Sequence, residues 1–124
     1  MNPKILIVED EPDNLETLSA YLEFKNYDIA KAVDGEEALE QVKKEKPDVV
    51  VLDLSIPKID GWEVAKRIRK DESSKDIVII AFSAMALPHE MEKALSNGCD
   101  AFLPKPMSPD VLIAEIEKIF NERK

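Results

Sequence analysis

The chain has 124 residues, room for one ordinary domain and not for a second, and 44% of them are hydrophobic, enough for a proper core. Acidic residues outnumber basic ones 26 to 17, and the net charge of −9 argues against direct nucleic-acid binding, which normally takes a basic face. The longest apolar run, Ile77 to Phe82, is strand-sized and far short of a membrane span, and with Cys99 as the sole cysteine no intramolecular disulfide can form.

Met1-Asn2-Pro3-Lys4 leads straight into Ile5-Leu6-Ile7-Val8, with no charged segment, extended apolar segment and small-residue cleavage site. A secretory leader is not expected, and the expected location is the cytoplasm. The first apolar run, Lys4–Val8, gives way to Glu9-Asp10-Glu11-Pro12 and then to Leu15, Leu18 and Leu22 at helical spacing. A second run, Asp28–Ala32, precedes Asp34 and Glu37, spaced as a capping box, with Leu39 and Val42 on the helix that follows. The third run, Val49–Leu54, carries Asp53 inside apolar surroundings. Asp60 and Glu63 then repeat the capping spacing before Val64 and Ile68.

The fourth run, Ile77–Phe82, ends in Ser83 and is followed by Met91, Ala94 and Leu95. Asn97-Gly98 reads as a helix end, since glycine accepts the left-handed conformation there. Cys99 beside it reads as a small packed residue at the turn, not as a catalytic thiol. The fifth run, Asp100–Leu103, is followed by Lys105-Pro106. Ser108-Pro109 then opens a last helix with Leu112, Ile116 and Ile119, Ser108 as its capping hydroxyl. All these helical stripes are expected in the core.

Five strand-like runs alternating with five helical segments predict an α/β fold, a (βα)5 doubly wound five-stranded parallel sheet over residues 1–124 as one domain. The runs at Lys4, Val49 and Ile77 are continuous and rich in Val, Ile and Leu, so they belong in the middle, covered on both faces. The mixed runs around Ile29 and Phe102 suit the edges. This favours the flavodoxin-like order 2-1-3-4-5, in which ligands bind beyond the carboxyl ends of the strands where the order switches.

That topology brings Glu9, Asp10 and Asp53 together, with Ser83 and Lys105 closing from the other side. Clustered carboxylates repel unless a cation sits among them, and an all-oxygen set with few protein ligands suits Mg²⁺. Neither His89 nor Cys99 follows these strand ends, which argues against zinc. Asp10 or Glu11 alone before Pro12 would read as a helix cap. Asp53 would not, because an acid flanked by Val49-Val50-Val51-Leu52 and Leu54 is costly to bury without a partner. A carboxylate can attack phosphorus, while a metal, an ammonium and a hydroxyl neutralise the transferring oxygens. The residues alone support a metal-assisted phosphoryl site.

Four motifs, each after its strand, carry a resemblance: Val8-Glu9-Asp10-Glu11-Pro12, Asp53-Leu54-Ser55-Ile56-Pro57 with Asp60-Gly61, Ser83-Ala84, and Lys105-Pro106. Over essentially its whole length the chain resembles a bacterial two-component response-regulator receiver domain. The resemblance implies that Asp53 is phosphorylated by a sensor histidine kinase or a histidine phosphotransfer protein. It implies that Asp10 and Asp53 ligate Mg²⁺ through carboxylates, Ser55 through its backbone carbonyl and Glu9 through water. Lys105 would pair with the phosphoryl group, Ser83 would reach it in the active state, and Phe102 would be the aromatic switch that turns inward. It also implies a cis Lys105-Pro106 bond. The departures are small: Glu9-Asp10 where many receivers have two aspartates, Ser83 for threonine, and Phe102 without a tyrosine hydroxyl.

Two rivals from other classes fit worse. A haloacid-dehalogenase-like phosphatase wants a second carboxylate two residues past its nucleophile, where Ser55 stands, and a flavodoxin wants a hydroxyl- and glycine-rich phosphate loop where Glu9-Asp10-Glu11 stands. Trp62 and His89 read as structural or surface residues, and His89 is not expected to relay phosphate. A receiver that catalyses only its own phosphorylation and dephosphorylation is expected, not an enzyme. A stand-alone signal carrier acting in trans is favoured over a piece of a longer hybrid kinase or regulator. Its output, to a protein partner or a phosphorylation-dependent dimer, is expected on the face formed by helix four, strand five and helix five, near Pro88–Leu95 and Asp110–Ile113.

Overall fold

The computed structural model describes residues 3–84, 87–105 and 108–122. Five strands, β1 (Lys4–Val8), β2 (Asp28–Ala32), β3 (Val49–Asp53), β4 (Val78–Ser83) and β5 (Ala101–Pro104), alternate with five helices. These are α1 (Pro12–Phe24), α2 (Gly35–Glu45), α3 (Gly61–Lys70), α4 (Pro88–Ser96) and α5 (Pro109–Glu122). The sheet is parallel throughout, in the order β2-β1-β3-β4-β5. The expected topology holds, and the three most apolar strands are the central ones.

Alternation along the central strands divides the core in two. Leu6, Val8, Val50, Leu52, Ile79 and Ala81 pack with α2, α3 and α4, whereas Ile5, Ile7, Val49, Val51, Ile80 and Phe82 pack with α1 and α5. Strands covered on both faces must be apolar at every position, which is why these runs are unbroken. Each fully buried aliphatic side chain contributes roughly 1.5–3 kcal/mol by leaving water.

Five strand ends differ by one residue from expectation: β3 stops at Asp53, β4 runs from Val78 to Ser83 and β5 from Ala101 to Pro104. Ile77 is excluded from β4 because its amide closes a local turn on the Ser74 carbonyl at 3.1 Å. Asp100 precedes β5 because its carboxylate is taken by Arg69 at 2.6 Å and by the Ile79 amide at 2.8 Å. Leu54 already turns away from β3, although its amide still reaches the Phe82 carbonyl at 3.0 Å.

The caps largely follow the sequence. Asp34 accepts from the Glu37 amide at 2.7 Å and Asp60 from the Glu63 amide at 2.9 Å. Glu37 reaches back, to the Val33 amide, whereas Glu63 pairs with Arg67 instead. The Ser108 hydroxyl accepts from the Asp110 amide at 3.1 Å. Gly98 ends α4 at φ 105°, with its own amide on the Leu95 carbonyl and the Cys99 amide on the Ala94 carbonyl. Cys99 is buried, and burial pushes its thiol up to about 12.

One expected stripe is not core. Of Met91, Ala94 and Leu95, only Ala94 is buried, while Met91 and Leu95 are 37% and 49% exposed. The sheet edge under α4 is the four-residue β5, so the helix seats one small residue and leaves its larger neighbours outside. Among the described residues no helix is long and apolar enough to cross a membrane.

Candidate functional site

The site forms where β1 and β3 lie side by side and the helices leave in opposite directions. Glu9 extends the β1 ladder by one residue, its amide on the Ala32 carbonyl at 3.0 Å. Asp53 is the last residue of β3. Their side chains continue the Ile5–Ile7 and Val49–Val51 alternation and are almost completely buried, at 1% and 3% exposure. Asp10 stands exposed beside them, and one carboxylate oxygen from each of the three lies within 4.8 Å of the others.

The loop after β3 is pinned on both sides by close backbone contact. A Cβ on Gly61 would lie 2.5 Å from Leu54 Cα, and one on Gly35 would lie 1.9 Å from the Ile59 carbonyl oxygen. Only glycine lets the starts of α3 and α2 approach so closely. The Gly61 amide holds the Leu54 carbonyl at 3.1 Å and the Gly35 amide holds that of Pro57 at 3.2 Å. So fixed, the loop aims the Ser55 amide at Asp53 Oδ1, 2.9 Å away.

Lys105, one residue past β5, closes the cluster. Its Nζ donates to Asp53 Oδ2 at 2.9 Å and to Glu9 Oε1 at 3.1 Å, and lies 5.0 Å from the centroid of the Phe82 ring. The sequence reading gave this lysine to the phosphoryl group alone. Here it bridges two of the three acids, held by a backbone bond from its own amide to the Ser83 carbonyl at 2.9 Å. Ser83 is buried at the end of β4, one residue beyond Phe82, the register partner of Asp53. Phe102 on β5 pairs with Ala81 and packs partly buried against the α2–α4 core. The Lys105-Pro106 bond lies outside the described residues.

The acids divide their proton unequally. Burial, then the hydrogen bond with Asp53, pushes Glu9 up to about 7, against the opposing pull of Lys105 and Asn14. Burial also acts to raise Asp53, but hydrogen bonds with Glu9, Lys105 and the Ser55 amide outweigh it and hold Asp53 below the usual carboxylate range. Lys105, despite burial, is raised by Asp53 and Glu9. The result is an ionised Asp53 next to a Glu9 that retains its proton well into the neutral range. Three carboxylates whose oxygens lie within 4.8 Å of one another are a hard-oxygen donor set that fits Mg²⁺.

Two neighbours were not legible in the sequence. Asn14, one turn into α1, donates Nδ2 to Glu9 Oε1 at 3.0 Å, and Phe82 lies under Lys105. Both border a cavity of about 410 Å³ that opens beside the cluster between α1 and the start of α5. An asparagine in a first helical turn is indistinguishable by sequence from an ordinary polar position. Of the side residues, His89 is exposed beside Glu90, and Trp62 packs partly on the core under the Lys93 ammonium, 4.2 Å from its ring centroid.

Comparison with known proteins agrees with this geometry. The family model described as the response regulator receiver domain matches residues 5–117. The alkaline phosphatase synthesis transcriptional regulatory protein PhoP of Bacillus subtilis is 40% identical over 123 residues, 98% of this chain and 50% of that protein. The DNA-binding dual master transcriptional regulator RpaA of Synechocystis is 32% identical over 96% of this chain and 49% of its own. The chain thus spans about half the length of such curated relatives. Among solved structures, the receiver domain of Francisella response regulator 1452 is 30% identical with a TM-score of 0.91, covering 99% of this chain and 100% of that one. The chemotaxis response regulator CheY4 of Vibrio cholerae is 26% identical with a TM-score of 0.90, covering 96% and 99%.

Proposed function

The chain belongs to the response regulator receiver domain family, and on that premise we propose that residues 1–124 form one receiver that accepts a phosphoryl group on Asp53 from a sensor histidine kinase or a histidine phosphotransfer protein. The observation that carries this is the bridge of Lys105 across Asp53 and Glu9, at the switch point of the sheet. An ionised carboxylate with a fixed ammonium at one oxygen and a fixed amide at the other is an oriented nucleophile.

In the reaction an Asp53 oxygen bonds to phosphorus. The bond from phosphorus to the donor's histidine nitrogen breaks, and the nitrogen keeps the electron pair. Glu9, Asp10, Asp53 and the Ser55 carbonyl would hold Mg²⁺, which supplies charge neutralisation to the transferring oxygens. Lys105 leaves the carboxylates for the phosphoryl group, and Ser83 donates its hydroxyl to it. The chain catalyses its own phosphorylation and dephosphorylation and works in the cytoplasm. Incubation with acetyl phosphate and Mg²⁺ should add one phosphoryl group by intact mass spectrometry, and a chelator should abolish it. Labelling that ignores the chelator would refute the metal-assisted reading.

Asp53 is too deeply buried for a partner to read its phosphoryl group directly, so the signal reaches a surface by conformational change. Ser83 moving inward frees space that Phe102 takes, shifting a two-state equilibrium of the packed elements. The surface that adjoins these residues is α4–β5–α5, and it exposes four apolar side chains, Leu87, Met91, Leu95 and Val111, by 37–50%. Exposed apolar side chains grouped in this way mark a protein-binding surface, for a partner in trans or for a second phosphorylated copy. Beryllofluoride, a mimic of the acyl phosphate, should shift the NMR signals of residues 88–95, 101–104 and 110–113. Large shifts confined to α2, with α4 and β5 silent, would rule this face out.

A further inference from the structure

We propose that Asn14 is a positioning residue for the metal site, keeping the Glu9 carboxylate turned into the acid cluster after Lys105 has left it for the phosphoryl group. The inference rests on the reading of Glu9, Asp10 and Asp53 as the Mg²⁺ site. Glu9 has three side-chain torsions and reaches the cluster from one residue beyond its strand, so its orientation depends on what holds its oxygens. Lys105 does so at 3.1 and 3.4 Å, and Asn14 Nδ2 does so at 3.0 Å. The Asn14 contact runs from the amide nitrogen, a donor, to the Glu9 oxygen.

These two anchors have different fates. Lys105 also holds Asp53, at 2.9 Å, and a phosphoryl group formed there draws the ammonium away from Glu9. Asn14 sits on the first turn of α1 and has no contact with Asp53 among the described hydrogen bonds, and nothing in the phosphorylation step competes for its amide. Before phosphorylation Glu9 is held by Lys105 and Asn14 and by its hydrogen bond with Asp53, and once Asp53 is phosphorylated and Lys105 drawn away, Asn14 remains. Its side chain caps no backbone group of α1, whose N-cap is Glu11, and it lies on the exposed side of the helix. Asn14→Ala should therefore fold as the parent does, alanine being the better helix former.

The test is calorimetric titration of Mg²⁺ with and without excess beryllofluoride. Asn14→Ala should weaken Mg²⁺ by about tenfold when beryllofluoride occupies Lys105, the scale of a hydrogen bond to a charged group, and by clearly less without it. In a Glu9→Gln background the same substitution should cause no further loss, because the effect passes through Glu9. In the metal-free protein, the Asn14 side-chain amide resonances should move on Glu9→Gln. An unchanged Mg²⁺ affinity in Asn14→Ala, an equal loss in the Glu9→Gln background, or stationary amide resonances would each overturn the proposal. Asp10→Asn separates the two levels. If it weakens Mg²⁺ while Asn14→Ala does not, only the role of Asn14 falls, whereas if it has no effect the metal reading falls too and takes this inference with it.

Discussion

Asp53→Ala is expected to leave a folded protein that gains no phosphoryl group from acetyl phosphate and Mg²⁺ under conditions that label the parent completely. Three carboxylates meet at the site, so the choice of nucleophile needs a reason. Asp10 is exposed and takes no fixed hydrogen bond among those described, which leaves it free to turn to a metal but not oriented for attack. Glu9 is buried and pushed up to about 7, so near neutrality much of it carries a proton that blocks its lone pair. Asp53 is held below the ordinary range by Glu9, Lys105 and the Ser55 amide against the opposing effect of burial. The same proximity that raises one acid lowers the other, and on the proposed reading this division selects the nucleophile. Intact mass and peptide mapping check it. Substantial labelling of Asp53→Ala, at Glu9 or Asp10, would show that the division does not decide the site.

Much of the fold was readable from the residues because a parallel sheet covered on both faces leaves strong marks. Ile5-Leu6-Ile7-Val8 and Val49-Val50-Val51-Leu52 admit no polar side chain on either face, so both their strand character and their central place follow. The edges were less certain by one residue, since the limit at Asp100 is set by partners distant in sequence and that at Ile77 by a local turn on Ser74. Arg69 is the clearest case: it ties the Gly98, Lys75 and Ile77 carbonyls to the Asp100 carboxylate, and no local pattern around it announces this. Asn26 is another, at φ 71° after α1, where it closes the helix as glycine usually does.

Helical periodicity misled at α4 for a physical reason. Spacing shows that one side of a helix is apolar and says nothing of what covers it. Met91 and Leu95 have the spacing of core residues and lie outside because the sheet ends beneath Ala94. The site divides in the same manner. Glu9, Asp10 and Asp53 were legible because strand order alone brings strand ends together. The bridge from Lys105 to Glu9 spans 96 positions and depends on side-chain reach, as does the Asn14 bond, so neither follows from topology.

Lys105→Ala should separate two properties that the bridged geometry joins. Phosphorylation by acetyl phosphate should slow by about a hundredfold, the usual cost of removing a preorganised charge from a transferring oxyanion. Mg²⁺ affinity should hold or rise, because the metal's ligands are oxygens and a competing cation has gone. The metal-free protein should also be less stable. Glu9 and Asp53 are nearly inaccessible to water, and without the ammonium their charges have no cationic partner among the described residues. Removing one member of a buried pair commonly costs 3–5 kcal/mol. Glu9 can relieve part of this by keeping its proton, and the lysine itself is 24% exposed, so about 2 kcal/mol is expected. Mg²⁺ restores the missing positive charge, so the deficit seen by denaturation in chelator should shrink when the metal is added. Three measurements therefore respond separately to one substitution: labelling rate down, metal affinity level or up, and stability down by more without metal than with it. A folded Lys105→Ala that no longer binds Mg²⁺ would mean that the lysine organises the metal site itself, and the assignment of separate roles to lysine and acids would have to be abandoned.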